Sequence, residues 1–366
     1  MDTMTNRQRL MAAFRHREPD RTPVFEYVLL SPVADAVLGR PYVDFNGDTG
    51  AWCAYAREVG FEQALRQYAR DRVDLARILG HDMIYCIENP TAASLYPQPP
   101  KQYAAQPPEE DDPVERIAWA NAYRQEELTQ PEDESRYLVY EFLREELERQ
   151  EMDIPLYMPA FAHGIWTNVD LMETMIMDPD TAHAHFELST LACIRKVKRL
   201  TAEGADIIGI GGDFAGNRPL ISPEAYRTYI VPELKTVSDL IHSLGRYAVN
   251  ASDGDLWSVI EDFLIHTGVD AYGEVDFSAG MDLKKLKQRF GDRITFLGNM
   301  DCGNVLSFAS HDRIRELSIR CIEDGLGAGG HGFSASNAIS ASVSVENYLA
   351  MVNAYRDYFA MERIRI

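Results

Sequence analysis

From about residue 180 to its end, the chain alternates apolar positions spaced three and four apart with short runs of consecutive apolar residues. The first spacing places side chains on one face of a helix, and short apolar runs between turn residues indicate buried strands. In the first such unit, a helix with Asp180 as its candidate cap ends at Gly204, before the strand 206–210. Later helices have Ser222 and Ser344 as predicted caps, and Pro232 predicts a kink.

The same pattern, followed along the whole chain, predicts eight strands. They are 23–28, 83–87, 156–160, 206–210, 247–249, 270–274, 294–297 and 332–335. Eight parallel strands, each followed by a helix, close into a barrel. Periodicity does not report closure, so an open doubly wound sheet stays an alternative. We predict one α/β domain over residues 1–366, a (β/α)8 TIM barrel with an N-terminal helical extension.

One segment interrupts this rhythm. Residues 97–134 are rich in proline, aspartate and glutamate and are too polar for a core. Long polar excursions of this kind are solvated loops or active-site lids. We therefore predict an acidic, Pro-rich loop or lid insertion there.

The net charge of the chain argues against some classes of binding partner. The chain has 366 residues, 46% of them hydrophobic, and a formal net charge of -21, with no local basic patch. Such a charge repels nucleic-acid phosphates and acidic membrane surfaces. We expect neither nucleic acid nor a membrane as a partner.

The five cysteines are widely spaced, and no apolar run approaches the roughly 18 residues of a membrane span. The first 15 residues are polar and charged, unlike a secretory signal. We expect a soluble protein in a reducing cytoplasm.

Polar and aromatic residues gather where the predicted strands end, and barrel enzymes keep their chemistry at that end. They are Glu26, Tyr27, Tyr85, Glu88, His163, Trp166, Asp213, Phe214, Asn250, Ser252, Asp253, Tyr272, Glu274, Asn299, Asp301, Cys302, Ser334, Ser336 and Asn337. Each has an alternative role. Asp253 and Asp301, for example, could simply cap the helices that follow.

Several carboxylates at one mouth should raise each other's pKa values by repulsion and desolvation, which leaves protonated donors near neutral pH. We predict a catalytic group of Asp253, Glu274, Asp213 and Glu26, with Asp253 as first choice for the general acid. The predicted substrate-binding residues are Tyr27, Tyr85, His163, Trp166, Phe214, Asn250, Asn299, Asp301 and Ser336. Core packing explains the aromatic members about as well.

Several segments of the chain resemble the uroporphyrinogen decarboxylase and corrinoid-dependent methyltransferase superfamily. They are 7–23, 204–213, 222–226, 279–284, 290–301 and 346–348. The resemblance implies a (β/α)8 barrel that carries out either porphyrinogen decarboxylation or methyl transfer involving a cobalamin on a separate corrinoid protein. Residues 90–150 lack a clear counterpart.

Departures from the family patterns favour methyl transfer. The decarboxylases carry an arginine-rich segment after the first strand, whereas residues 25–37 contain no Arg or Lys. The thiol-alkylating methyltransferases bind zinc through cysteines. The corresponding positions in this chain are 250–252 and 334–336, and neither segment contains a cysteine. A zinc ion bound without cysteine stays open, with His163, Asp213 and Glu274 as ligands.

The sequence Ser252-Asp253-Gly254 is similar to the O-demethylase substrate methyltransferases. This resemblance implies transfer of a methyl group from a small methoxylated compound, commonly an aromatic one, or from a small N-methylated compound to the cobalamin of a partner corrinoid protein. Homodimerisation is left open. The alternatives are a decarboxylase, with Asp213 or Asp253 polarising the substrate, and an inactive barrel that binds a small ligand.

Overall fold

Seven parallel strands lie side by side in chain order in the computed structural model, which describes residues 4–96 and 112–366. They are β1 (Ile84–Tyr85), β2 (Leu156–Pro159), β3 (Ile207–Gly211), β4 (Tyr247–Ala251), β5 (Ala271–Gly273), β6 (Thr295–Leu297) and β7 (His331–Gly332). Each strand overlaps a predicted one.

Residues around Val24 connect the first strand of this sheet to the last. The Asp82 backbone N–H donates to the Val24 carbonyl at 2.7 Å on one side, and the Phe333 N–H donates to the Pro23 carbonyl at 2.7 Å on the other. The predicted strand 23–28 is thus present as a short link with an isolated bridge from Val24 to Phe333. The sheet is curled into a TIM-like α/β barrel, and it is not an open sheet.

Helices surround the sheet. The α-helices are Asn6–Phe14, Val33–Leu38, Thr49–Val59, Phe61–Leu79, Pro113–Thr129, Leu138–Arg149, Val169–Met177, Pro179–Ala202, Pro223–Ala225, Val231–Ser243, Leu283–Phe290, Val305–Phe308, His311–Gly325 and Val345–Tyr358. Two 3₁₀ segments, Ala92–Leu95 and Glu134–Tyr137, and two π-helical segments, Tyr226–Ile230 and Asp262–His266, complete the described helical structure. None of the described helices is long and apolar enough to cross a membrane.

The predicted caps are confirmed for two helices and shifted in a third. Ser222 and Ser344 accept hydrogen bonds from the first turns of their helices. The helix Pro179–Ala202 is capped by Asp178 rather than Asp180, because Pro179 takes the first helical position. The π-helical segment Tyr226–Ile230 leads directly into the helix that contains Pro232.

The predicted insertion is partly regular. Residues 97–111 lie outside the described residues, whereas Pro113–Thr129 is an α-helix capped by Asp112. This helix packs against Val169–Met177 and Pro179–Ala202. A loop is therefore the wrong description of this part of 97–134, and the polar composition reflects a helix with a narrow buried face.

The helix Asn6–Phe14 packs against the lower end of the barrel interior. Leu10 and Phe14 of the first helix join the apolar cluster of inward-facing strand residues, which includes Ile207 and Val249. The Phe14 ring packs 5.0 Å from that of Tyr247 at the start of β4. The helix Asn6–Phe14 therefore closes the lower end of the barrel.

A buried carboxylate holds this helix in place. Asp82, two residues before β1, accepts hydrogen bonds from Arg9 at 2.7 Å, from Arg21 at 2.7 Å and from the Val24 N–H at 2.9 Å. Charge-assisted hydrogen bonds of this kind are the stronger ones in proteins. Asp82 thus ties the lower helix to the link that closes the barrel.

Candidate active site

Three carboxylates meet at the upper mouth of the barrel. Asp213 follows β3, Asp253 follows β4 and Glu274 follows β5, and an oxygen of each lies within 4.8 Å of the others. The Asp253 N–H donates to Asp213 Oδ1 at 3.1 Å. We call these three residues the carboxylate trio. The structure brings together three of the four predicted catalytic residues.

Two members of the trio hold a proton more tightly than a free carboxyl. Burial, together with the charges of Asp213 and Asp276, raises the pKa of Asp253 to about 7, although Asn337 donates a hydrogen bond to Asp253 Oδ2 at 2.8 Å. Burial and the charges of Asp253 and Asp213 raise the pKa of Glu274 well above its ordinary value. The mouth therefore contains protonated donors near neutral pH.

Three tyrosines form an aromatic floor beside the trio. The Tyr85 ring lies 5.5 Å from that of Tyr27 and 5.0 Å from that of Tyr157, and the two latter rings are 6.0 Å apart. The Tyr27 hydroxyl oxygen accepts the Glu274 N–H at 3.2 Å, which joins the floor to the trio. The buried Tyr157 hydroxyl has no hydrogen-bond partner among the described residues.

The tyrosine floor can pack closely against β5 because Gly273 carries no side chain. A Cβ atom at this position would lie 2.7 Å from the Tyr27 hydroxyl oxygen and 3.3 Å from Val249 Cγ1. We expect Gly273→Ala to displace Tyr27 and to lower the free energy of unfolding by about 1–3 kcal/mol, as overpacking of a full core does. Urea unfolding measures this change.

Gly303→Ala is the matched control, because its Cβ would contact only Asp301 Oδ1 at 3.6 Å, an ordinary van der Waals distance. Equal costs for Gly273→Ala and Gly303→Ala would contradict a tight floor.

The fourth predicted catalytic residue, Glu26, lies elsewhere. Phe25 and Tyr27 face the barrel interior, so the side chain between them points to the opposite side of the chain. There the Glu26 carboxylate accepts the Ala335 N–H at 3.1 Å, and burial raises its pKa to about 8. This placement corrects the prediction of Glu26 as a member of the catalytic group.

His163 is also outside the trio. Its Nε2 lies 2.9 Å from Thr190 Oγ1 on the helix Pro179–Ala202, and burial lowers its pKa to about 4. The predicted ligand set of His163, Asp213 and Glu274 is therefore not assembled, and Asp253 occupies the third position. Among the described residues, the trio is the group of acidic, histidine or cysteine side chains close enough to share a metal ion.

Two predicted substrate-binding residues face the helices instead of the cavity. The buried Phe214 ring packs 4.4 Å from Tyr226, and Asn250 Nδ2 donates to the Phe263 carbonyl at 3.0 Å. Their positions are explained by core packing, which the sequence left as the alternative for Phe214.

Asn299 and Asp301 line a small pocket between the helices Leu283–Phe290 and His311–Gly325. Asn299 Nδ2 donates to the Met281 carbonyl at 3.1 Å, and Asp301 Oδ1 accepts the Asn304 N–H at 2.8 Å. Asp301 thus organises the turn after β6, but it does not cap the following helix Val305–Phe308, whose N-cap residue is Asn304.

The remaining predicted residues lie near the mouth at different depths. Trp166 is 52% exposed, and its ring borders Gly216. Ser336 is buried, with Oγ 3.8 Å from Cys302 Sγ. Their roles in binding stay predictions.

Sequence reasoning missed two contributors. Asp276 accepts the Gly254 N–H at 3.2 Å, and its charge helps to raise the pKa of Asp253. Tyr157 is the cross-strand partner of Tyr85, which places both rings on the same face of the sheet. The register of β1 and β2 would have revealed Tyr157 to sequence analysis, but short buried strands do not specify register.

A TIM-like barrel with convergent carboxylates at the carboxyl ends of its strands has the architecture of a barrel enzyme. The sequence model of the uroporphyrinogen decarboxylase (URO-D) family matches residues 155–358, more than half of the chain. The chain belongs to this family, and the superfamily resemblance in the sequence is confirmed.

Relatives in the family are distant. The chain is 25% identical over 252 residues to uroporphyrinogen decarboxylase of Thioalkalivibrio sulfidiphilus, which covers 64% of this chain and 68% of that protein. It is 22% identical over 189 residues to uroporphyrinogen decarboxylase of Coxiella burnetii, covering 50% and 49% respectively. The chain thus spans about half the length of the Coxiella relative.

A solved structure shares the fold over nearly the whole chain. A methyltransferase from Methanosarcina mazei superposes with a TM-score of 0.68 and 18% sequence identity, covering 97% of this chain and 99% of that one.

Proposed function

We propose that this protein is a methyltransferase that takes a methyl group from a small methoxylated aromatic compound or from a small N-methylated compound, with a separate corrinoid protein as the acceptor. The observation that carries the proposal is the carboxylate trio, in which Asp253 has a pKa of about 7. The alkoxide or phenolate of a methyl ether is a poor leaving group, so the ether oxygen needs a proton as the methyl group departs. Asp253 is the proposed donor, and Glu274 is the second choice.

The cobalamin of the partner would supply the nucleophile that accepts the methyl group. The contribution of this chain is to hold the ether against the tyrosine floor and to deliver a proton to its oxygen. Orientation of the two reactants contributes to the rate as well, because it removes much of the entropy cost of bringing them together.

The charge of the mouth supports methyl transfer over decarboxylation of a porphyrinogen. Among the described residues, no basic side chain forms an ion pair with the trio, and residues 25–37 contain no Arg or Lys. A substrate with many carboxylates would be repelled there. The decarboxylase alternative is nevertheless favoured by the names of the curated relatives.

The experiment that separates the two functions uses purified protein, a reduced corrinoid protein and a panel of methyl ethers. Methyl transfer predicts formation of the demethylated alcohol or phenol only when the corrinoid protein is present. Conversion of uroporphyrinogen to less carboxylated products, without turnover of any ether, would overturn the proposal in favour of decarboxylation.

The oxygen atoms of the trio determine which kind of metal ion could bind there. Three carboxylates within 4.8 Å suit a hard divalent ion such as Mg²⁺ or Mn²⁺ better than zinc, which favours imidazole and thiolate ligands. The residues present therefore do not fit the predicted zinc site well, and no step of the proposed reaction depends on a metal.

We expect each single Cys→Ser change to leave metal content unchanged. Cys302 is the strictest case, because it follows β6 near the mouth, whereas Cys53, Cys86, Cys193 and Cys321 are buried. Elemental analysis of Cys302→Ser beside the unmodified protein measures the content. Loss of a stoichiometric metal from this variant would show that cysteine is a ligand.

A further inference from the structure

A hydroxyl group of the tyrosine floor takes no part in the proposed proton transfer. Tyr157 lies on β2 with its side chain directed into the barrel, and it is fully buried. Its hydroxyl has no hydrogen-bond partner in the part of the chain that the structure describes. Because buried polar groups in proteins are almost always hydrogen-bonded, a group without a partner indicates a place for a ligand atom or a water molecule.

The Tyr157 hydroxyl reaches across the barrel to a strand that leads into the trio. A Cβ atom at Gly209, on β3, would lie 2.9 Å from the Tyr157 hydroxyl oxygen. The Tyr27 hydroxyl reaches Gly273 on β5 in the same way, where the corresponding distance is 2.7 Å. Since β3 and β5 each lead into a member of the trio, both hydroxyl groups lie below the carboxylates.

The ring of Phe161 borders the Tyr157 hydroxyl on the side of the mouth. Phe161 lies in the loop after β2 and is 39% exposed, and its Cε1 atom would lie 2.9 Å from the same Cβ atom at Gly209. Exposed side chains change rotamer within nanoseconds, so this ring can move aside for a ligand. A ligand that enters from the mouth can therefore reach the hydroxyl.

The Tyr157 hydroxyl is available as a hydrogen-bond donor. Burial, followed by the neighbouring Tyr27, Tyr85 and Glu274, raises the pKa of Tyr157 well above its ordinary value, so the hydroxyl keeps its proton. A fixed donor in a site without water stabilises negative charge that develops on a nearby oxygen, because no solvent has to reorganise.

We propose that the Tyr157 hydroxyl donates a hydrogen bond to the ligand oxygen that carries the methyl group. This inference rests on the proposed function. As the C–O bond breaks, its electron pair stays on the oxygen and the methyl group passes to the acceptor. Asp253 gives its proton to that oxygen, whereas Tyr157 keeps its own proton and stabilises the developing charge. The methyl donor is then an ether, because the nitrogen of an N-methylated ammonium ion has no lone pair to accept such a bond.

Titration of bound 4-nitrophenol, a coloured analogue of the demethylated product, tests the inference on the full chain without a corrinoid protein. Its phenolate form absorbs visible light, so the absorbance gives the pH at which the bound phenol ionises. A hydrogen bond to a charged oxygen is stronger than one to a neutral oxygen. Tyr157→Phe should therefore raise the pH of ionisation by about one unit. The trio acts on the bound phenol in both proteins, so the difference between them measures the hydroxyl.

Turnover of a methyl ether gives a second measurement. Tyr157→Phe should lower it by about 10- to 10²-fold, the effect of one hydrogen bond to a charged group. The variant should fold with unchanged stability, because the hydroxyl that it removes makes no hydrogen bond to a described residue.

Tyr140→Phe is the matched control. Tyr140 is buried on the helix Leu138–Arg149, and its hydroxyl donates to the Cys86 carbonyl at 3.4 Å, away from the barrel interior. This variant should leave the ionisation of bound 4-nitrophenol unchanged. Thermal unfolding of both variants checks that they are folded.

An ionisation pH that is unchanged by Tyr157→Phe, an equal shift in Tyr140→Phe, or no binding of 4-nitrophenol to the unmodified protein would overturn the inference. Since no methyl transfer takes place in the titration, the two proposals can fail separately. The expected shift without turnover of any ether would contradict the proposed function alone. Ether turnover that is insensitive to Tyr157→Phe would contradict the hydrogen bond alone.

Discussion

Replacement of Asp253 by Asn is expected to lower turnover of a methyl ether by about 10²- to 10⁴-fold, the usual contribution of a general acid. The Asn side chain keeps an oxygen that can accept the hydrogen bond from Asn337, so the fold should be retained. The loss should be smallest for substrates whose leaving phenol is most acidic, because these need a proton least. Steady-state kinetics over a series of substituted aryl methyl ethers measures this dependence.

The pH profile provides a second signature of the same residue. Since burial and neighbouring charge raise the pKa of Asp253 to about 7, turnover should fall as the pH rises through that value. Asp213→Asn removes one of the charges that raise this pKa, so the fall should move to lower pH. Asp253→Asn should abolish it.

The matched control is Asp255→Asn, two residues away, where the carboxylate accepts the Trp257 N–H at 3.0 Å outside the trio. If Asp253→Asn slows every ether equally or unfolds the protein, Asp253 serves as a cap or a positioning residue. The general acid would then have to be sought at Glu274.

Glu26→Gln is expected to make the protein more stable at alkaline pH, by an amount on the order of 4 kcal/mol. Burial raises the pKa of Glu26 from 4.5 to about 8, so the folded protein keeps a proton that the unfolded chain releases. The stability due to this proton is present below pH 4.5 and is lost as the pH rises to about 8. The glutamine side chain does not ionise, and its oxygen can still accept the hydrogen bond from the Ala335 N–H.

Urea unfolding at about pH 5, 7 and 9 measures the difference between Glu26→Gln and the unmodified protein. The difference should grow with pH, whereas Glu148→Gln, at an exposed position, should show none. A difference of the same size at every pH would mean that packing, and not ionisation, separates the two proteins.

The rule that parallel strands present their carboxyl ends at one mouth was sufficient to find the trio. Asp213, Asp253 and Glu274 each come directly after an apolar run, and strand order then places them side by side. The seven strands were found for the same reason, because each run lies between turn residues. The segment around Val24 was found as well, although it forms a link and not a regular strand.

The direction of single side chains was harder to predict. In a strand buried on both faces, apolar residues occupy both sides, so the sequence does not reveal which alternate positions face the barrel interior. Val249 faces inward, and its neighbour Asn250 therefore faces the helices. The same ambiguity about which alternate positions face inward explains why Glu26 was predicted to lie with the other carboxylates. Its neighbours Phe25 and Tyr27 occupy the interior.

The helix Asn6–Phe14, which fills the lower end of the barrel, affects the order of events in the proposed reaction. Because Leu10 and Phe14 obstruct that end, a small substrate and a large protein acceptor would both have to reach the trio through the upper mouth. A docked acceptor would cover the route of a molecule that had not yet entered. Kinetics should therefore be ordered, with the methyl donor binding first and the demethylated product leaving after the acceptor has dissociated.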